Sequence, residues 1–210
     1  ECARQIAVLA ADGWRVAVVH GNGPQVGELL LRAEAVHHPE PLDVLDAETE
    51  GQLGYLLQQR IGNHLRRAGS ATPVVSLVTQ VVVNAADPAF AAPTKPIGPF
   101  YPSEATARAG LPAAAVVRQL APGRWRRVVA SPLPVGLVEA EALWVLWQAG
   151  MVTVALGGGG IPVVRTSSGY EGVDAVVDKD YAAALLARTL GAERLVVLTN
   201  VEGVYGGDPT

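Results

Sequence analysis

Arg15-Val16-Ala17-Val18-Val19-His20-Gly21-Asn22-Gly23-Pro24-Gln25-Val26-Gly27 is the stretch on which the fold turns. Its first five residues are mostly β-branched and apolar, as in a strand buried on both faces. The strand runs directly into a glycine turn. Pro24 then marks a helix start, where a fixed φ and a missing N–H cost nothing. Strand, glycine turn and helix in this order make the βα half of an α/β unit. Backbone N–H groups and a positive helix end then sit at the carboxyl edge of the sheet, where anions bind in open α/β folds. A short Gly-x-Gly also occurs in tight turns that hold no ligand, so the motif leaves both readings open. His20 alone says less, because a histidine at a strand end is commonly a hydrogen-bonded structural residue.

Working outward, residues 1–11 place Ile6, Leu9 and Ala10 at helical spacing, so a helix feeds the strand. A longer helix is expected over residues 47–67, ending near Gly69, and one or two strands over 74–84. A helix at 139–148, a strand at 152–156, the loop Gly157-Gly158-Gly159-Gly160 and a helix at 181–190 follow. This alternation predicts a three-layer αβα sandwich around a mostly parallel central sheet. Residues 87–134 break the pattern. Prolines recur there, and we expect a small protruding subdomain inserted into a single domain spanning 1–210, with a loop at 93–101 and a hairpin whose return strand includes 126–130. Residues 195–198 read as a further buried strand. Residue 1 is Glu, the one methionine is Met151, and helix and strand signals run to both ends, so the chain reads as cut at each.

Composition narrows the function. The chain has 210 residues, half of them apolar, with a formal net charge of −4. No broad basic field favours nucleic acid, so any anion must be held locally. Cys2 is the one cysteine and builds no intramolecular disulfide, no apolar run has the length of a membrane span, and no signal-peptide pattern opens the chain. A cytoplasmic protein is expected.

Lysine usage is the most informative single feature. Of 16 basic residues only Lys95 and Lys179 are lysines. An ammonium is a compact charge on a flexible stem that can follow a moving phosphoryl group, whereas guanidinium imposes a planar fork. Lys95 sits in Pro93-Thr94-Lys95-Pro96, and Lys179 lies between Asp178 and Asp180 at a helix start. The structural alternative makes Asp178 an N-cap, Asp180 a partner of the helix dipole and Lys179 a solvated cation. The four glycines at 157–160 favour a ligand contact over a flexible turn, since such a run costs chain entropy. Arg124, Arg126 and Arg127 read as a solvated face, with anion steering second. Glu48, Glu50, His37 and His38 show no metal-ligand spacing, so no protein-held metal is assigned. Trp144 and Trp147 read as core or interface.

Several long strings resemble carbamate kinases of the amino-acid kinase superfamily. They are residues 20–27, 87–90 with 93–101, 125–129 with Ser131-Pro132, 157–163 and 175–180, in family order. The resemblance implies reversible phosphoryl transfer between carbamoyl phosphate and ADP, giving carbamate and ATP, with Mg2+, in a homodimer. Carried over by position, Lys95 and Lys179 would be catalytic and Asp180 would orient them. Gly21, Asn22 and Gly23 would hold the carbamate and phosphoryl end. Gly158, Gly159, Asp178, Asn200 and Tyr205 would border the nucleotide, with Tyr205 near the adenine. Asn200 stands where the family usually has aspartate, and the family's first strand and Gly-Gly-Asn-Ala-Leu loop would precede residue 1. Phosphoryl transfer asks for positioning and charge neutralisation rather than a covalent nucleophile, in keeping with the residues found. Two other readings stand beside it: a sister kinase acting on another small carboxylate or phosphate, and a nucleotide-binding chain without turnover.

Overall fold

The computed structural model describes residues 1–35 and 40–199. In chain order the elements are α1 (Cys2–Ala11), β1 (Ala17–Val18), α2 (Gly23–Ala35), α3 (Leu42–Arg67), β2 (Val74–Ser76), β3 (Gln80–Val83), β4 (Lys95–Tyr101), α4 (Glu104–Gly110), β5 (Val116–Ala121), β6 (Arg124–Val129), β7 (Pro134–Leu137), α5 (Ala140–Gln148), β8 (Val152–Val154), β9 (Ile161–Thr166), β10 (Gly169–Gly172) and α6 (Lys179–Leu190). Single 3-10 turns cover Pro88–Phe90 and Gly157–Gly159.

The strands form three hydrogen-bonded groups. β1-β8-β2 is wholly parallel, with Ala17 opposite Thr153 and Val75 opposite Thr153 from the other side. The second group, β10-β9-β3-β7, is parallel between β9 and β3 and antiparallel elsewhere. The third, β4-β6-β5, is antiparallel throughout and lies within residues 95–129.

Helices cover both faces. Ala3, Ile6, Ala7 and Ala10 of α1 pack with Ile61 and Leu65 of α3 on Val152 and Val154. Leu143 of α5 and Ala182, Leu186 and Leu190 of α6 pack with Val81, Val83, Ala155, Leu156 and Val177. Each Val, Leu or Ile side chain among them contributes about 1.5–3 kcal/mol when fully withdrawn from water. A third cluster joins Val26 and Leu30 of α2, Leu42 and Leu45 of α3, Ile97, Val129 and Val176, and so ties the antiparallel group to the α2 side. The expected α/β architecture with parallel strands and flanking helices is what these clusters build.

Several expectations need correcting. The long helix starts at Leu42, not 47, because Pro41 sits at its N-cap with φ −58 and Leu42 and Leu45 already belong to its buried face. The segment expected as a loop at 93–101 is largely strand β4. Proline is tolerated there because β4 is an edge strand, and its pairing with β6 shifts register between Ile97 and Tyr101. Residues 195–198 are neither buried nor in a strand: Leu195, Val196, Val197 and Leu198 are all exposed. An apolar run becomes a strand only where a neighbour completes its ladder, and none does among the described residues. Trp144 is exposed, whereas Trp147 packs against the α5–α6 core. Cys2 is free and exposed. No helix among the described residues is long and apolar enough to cross a membrane.

Candidate active site

Three segments meet at the N-terminal end of α6: the start of β4, the residue 20–23 turn and the helix start itself. Asp178 caps the helix, its Oδ1 accepting from the Asp180 N–H at 2.9 Å. Its other oxygen accepts from Lys95 Nζ at 2.7 Å, so the lysine opening β4 reaches across to α6. Lys179 Nζ lies 2.8 Å from Asp180 Oδ1. The Lys179 stem passes over Gly21, where a Cβ would stand 3.4 Å from Lys179 Cδ. Lys95, Lys179, Asp178, Asp180 and the residue 20–23 turn therefore share one locus. The two lysines do not share a carboxylate, however: Asp180 holds Lys179, and Asp178 holds Lys95. Burial pushes the Asp178 carboxyl up, but the Lys95 hydrogen bond, the Asp180 amide and the charge of Lys179 outweigh it, and the net shift is down. Asp178 therefore stays ionised, and both cations are paired. Two helix N-termini, those of α2 at Gly23 and α6 at Lys179, add partial positive charge.

Beneath this surface the two glycine segments interlock. His20 O accepts from the Gly158 N–H at 2.7 Å, and the Asn22 side chain lies where any Gly158 Cβ would have to go. Asn22 is buried, and its Nδ2 donates to Asp46 Oδ1 at 3.1 Å and Thr49 Oγ1 at 2.9 Å. Gly21 and Gly23 are exposed on either side of it. Gly21 and Gly23 can thus present backbone to a ligand, while the Asn22 side chain anchors the turn from below.

The tetraglycine has internal partners. Gly157 to Gly160 are buried, and their N–H groups are engaged internally: Gly157 with Glu50, Gly158 with His20, Gly159 with Leu156 and Gly160 with Gly157. No backbone donor of Gly158 or Gly159 remains for a nucleotide phosphate. The glycines serve close approach of two loops instead. Leu156, just before them, adopts the left-handed conformation at φ 54, a strained geometry fixed by complete burial and by its N–H to Thr79 Oγ1 at 2.6 Å.

The sequence reading gave Asp46, Thr49, Glu50 and Thr79 no part in the site, Glu50 being weighed there only for metal-ligand spacing. The first three fall at i, i+3 and i+4 on the buried face of α3, between Leu42, Leu45 and Ile61. That period could have exposed them had the helix been started at its true origin. Burial is the first cause of the Asp46 carboxyl being pushed up to about 8; Glu50, Asp43 and Asp174 push the same way and Asn22 opposes. Glu50 is pushed up to about 7, again mainly by burial. Burial holds the His20 ring below its ordinary value.

These raised acids predict a pH dependence of stability. An acid that holds its proton more tightly when folded stabilises the fold fully below its unfolded value and loses that contribution as pH rises through its folded value. For Asp46 the window runs from 3.8 to about 8. At 1.36 kcal/mol per pKa unit the loss reaches a ceiling of about 6 kcal/mol. Asp46→Asn keeps an acceptor for Asn22 and should flatten the decline, leaving stability near pH 4.5 little changed and raising it at pH 8.5. Urea unfolding across that range checks it; parallel curves for the two proteins would refute the assignment.

The Arg124 and Arg126 guanidinium groups lie 3.9 and 4.9 Å from the Phe100 ring centroid, and Arg126 Nε donates to Gly98 O at 2.7 Å. That cluster braces the edge of the antiparallel group. Among the described residues no group of three or more His, Cys, Asp or Glu side chains could hold a metal. Asn200 and Tyr205, and likewise His37 and His38, lie outside the described residues.

The amino acid kinase family profile matches residues 1–210. The chain is 44% identical over 206 residues to a carbamate kinase of Pyrococcus horikoshii, an alignment covering 96% of this chain and 66% of that protein. It is 45% identical over 208 residues to carbamate kinase 2 of Enterococcus faecalis, covering 97% and 66%. Among solved structures, carbamate kinase from Giardia lamblia bound to AMP-PNP superposes with a TM-score of 0.85 at 37% identity, over 95% of this chain and 64% of that one. The chain thus spans about two thirds of the length of the curated relatives it matches.

Proposed function

This chain belongs to the amino acid kinase family, and from that premise we propose that the protein transfers a phosphoryl group between carbamoyl phosphate and ADP, yielding carbamate and ATP, reversibly. The supporting observation is that the two lysines, from separate elements, both end at the N-terminus of α6, beside Asp178 and Asp180 and above Gly21. In the forward step a β-phosphate oxygen of ADP attacks phosphorus, the bond from phosphorus to the carbamoyl oxygen breaks, and carbamate leaves as an oxyanion. No proton has to move, so no general base is required. The charge spread over the transferring group needs cations that can follow it, which Lys95 and Lys179 supply. Gly21 and Gly23 would receive the carbamate and phosphoryl end, with Asp178 and Asp180 setting where each lysine rests.

Mg2+ would arrive with the nucleotide and neutralise phosphate charge. The donor set fits that mode, since Mg2+ binds through one or two carboxylates plus phosphates, and Asp178 and Asp180 are the carboxylates at hand. We also place here a cytoplasmic location, a homodimer, the inserted lobe at 87–134, and a nucleotide border that includes Asp178, Asn200 and Tyr205.

The test is ATP formation by the purified full-length protein from ADP, Mg2+ and carbamoyl phosphate, with acetyl phosphate and amino-acid acyl phosphates as competitors. Preference for carbamoyl phosphate supports the reading. Turnover of another acyl phosphate alone would make the protein a sister kinase, and nucleotide binding with no turnover of any donor would remove the enzyme reading altogether.

A further inference from the structure

Glu50 is a buried acid, 3% exposed, that no step of the proposed reaction uses, yet three donors converge on it. Its Oε2 accepts from the Thr79 N–H at 2.7 Å and its Oε1 from Thr79 Oγ1 at 3.0 Å, and the Gly157 N–H is the third donor. Thr79 Oγ1 in turn accepts from the Leu156 N–H at 2.6 Å. One carboxylate on α3 thereby fixes the backbone on both sides of the strained Leu156 and the start of the glycine turn. From there the link continues outward. Gly158 donates to His20 O, His20 leads into Gly21, and the Lys179 stem lies on Gly21. The His20 ring and the Glu50 Cγ both border the space above Gly157, so the acid and the first residue of the exposed turn pack on the same glycine.

We infer that Glu50 is a positioning residue for phosphoryl transfer: by clamping Thr79 and Gly157 it sets the height of the turn at residues 20–23 under Lys179. This rests on the kinase reading above. A bare truncation removes three acceptor contacts at once and frees the 156–158 backbone to relax. Glutamine keeps a side-chain oxygen at the same reach and restores most of the clamp. Its amide NH2 faces one donor, so the restoration is incomplete. Thr79 gives an independent handle, because valine removes the hydroxyl that joins Glu50 to Leu156 while serine keeps it.

The experiment compares Glu50→Ala, Glu50→Gln, Thr79→Val and Thr79→Ser in the full-length protein, reading kcat and KM for ADP and carbamoyl phosphate beside thermal unfolding. Glu50→Ala should lose about 30- to 100-fold in kcat with KM moving less than about threefold, since a misplaced charge near the reacting group costs rate more than affinity. Glu50→Gln should recover to within about fivefold of the parent, and Thr79→Val and Thr79→Ser should repeat the pattern. Full kcat in folded Glu50→Ala would overturn the inference. So would losses in all four variants that track only the fraction folded, including at temperatures where every variant is folded. A parent protein that is folded but makes no ATP would instead sink the kinase reading, and this inference with it.

Discussion

Lys179→Ala should lower kcat for ATP formation by about 10²–10³-fold, the range found when one preorganised electrostatic partner of a transition state is removed, while thermal stability stays within a degree or two. The asymmetry follows from where the side chain sits. Its ammonium is paired with an exposed aspartate, the two side chains being 46% and 61% accessible. Pairs this exposed contribute at most about 1 kcal/mol to folding. The stem rests on Gly21 without filling any core. A residue so lightly invested in the fold, in a chain that otherwise uses arginine, should owe its place to the reaction. Lys179→Arg is the informative companion. It keeps the charge but imposes a planar fork on a group that has to follow phosphorus, so it should recover no more than about a tenth of the rate. Stopped or coupled assays of ATP release decide it, and a rate within threefold of the parent for Lys179→Ala would remove this lysine from the chemistry.

Lys95 starts from a different position. It is two-thirds buried and bound to Asp178, and Asp178 simultaneously caps α6. A phosphoryl group entering the locus would compete with Asp178 for that ammonium, and the Asp180 N–H would keep the carboxylate satisfied when Lys95 turns away. The cap therefore does two things with one side chain: it starts a helix and stores a cation beside the site. Asp180, expected to orient both lysines, orients one.

Which of these features the sequence discloses depends on whether the cause is local. The strand-turn-helix at residues 15–34 was readable because β-branching, glycine and proline act within a few residues of themselves. The α6 start was readable for the same reason, as Asp178 caps through its own neighbour's N–H. Lysine scarcity pointed to Lys95 and Lys179 without any geometry. By contrast, Asp46, Thr49 and Glu50 have helix-surface identities and buried positions. Only the packing of α3 on the 156–160 turn shows that their partners are Asn22, Thr79 and Gly157. Strand β4 was hidden because its prolines argue against a strand unless the strand is known to be an edge. The tetraglycine was half readable: the sequence disclosed that the backbone needs closeness there, but closeness to a ligand and closeness to another loop leave the same letters.

That last distinction makes Gly159→Ala the sharpest structural test. Gly159 has φ +115, and a Cβ there would run into the Val177 carbonyl, a backbone atom that cannot rotate away. Gly123, in the hairpin turn between β5 and β6, also has positive φ, at +69, but nothing lies within 4 Å of its would-be Cβ. Gly123→Ala therefore measures the cost of conformation alone, about 1 kcal/mol. Gly159→Ala adds collision between the 157–160 turn and the segment leading into α6, and should cost about 3 kcal/mol or more. In a chain of this size that is a fall in Tm of roughly 6–12 °C against 2–4 °C for the hairpin variant. Because the turn sits between Asn22 and Val177, relief of the collision should also separate the residue 20–23 loop from α6. The Gly159 variant should then lose ATP formation at temperatures where it is still folded, while the hairpin variant keeps it. Equal losses of stability in the two variants would mean that the loops are not interlocked as described, and would reopen the tetraglycine as a ligand-facing turn.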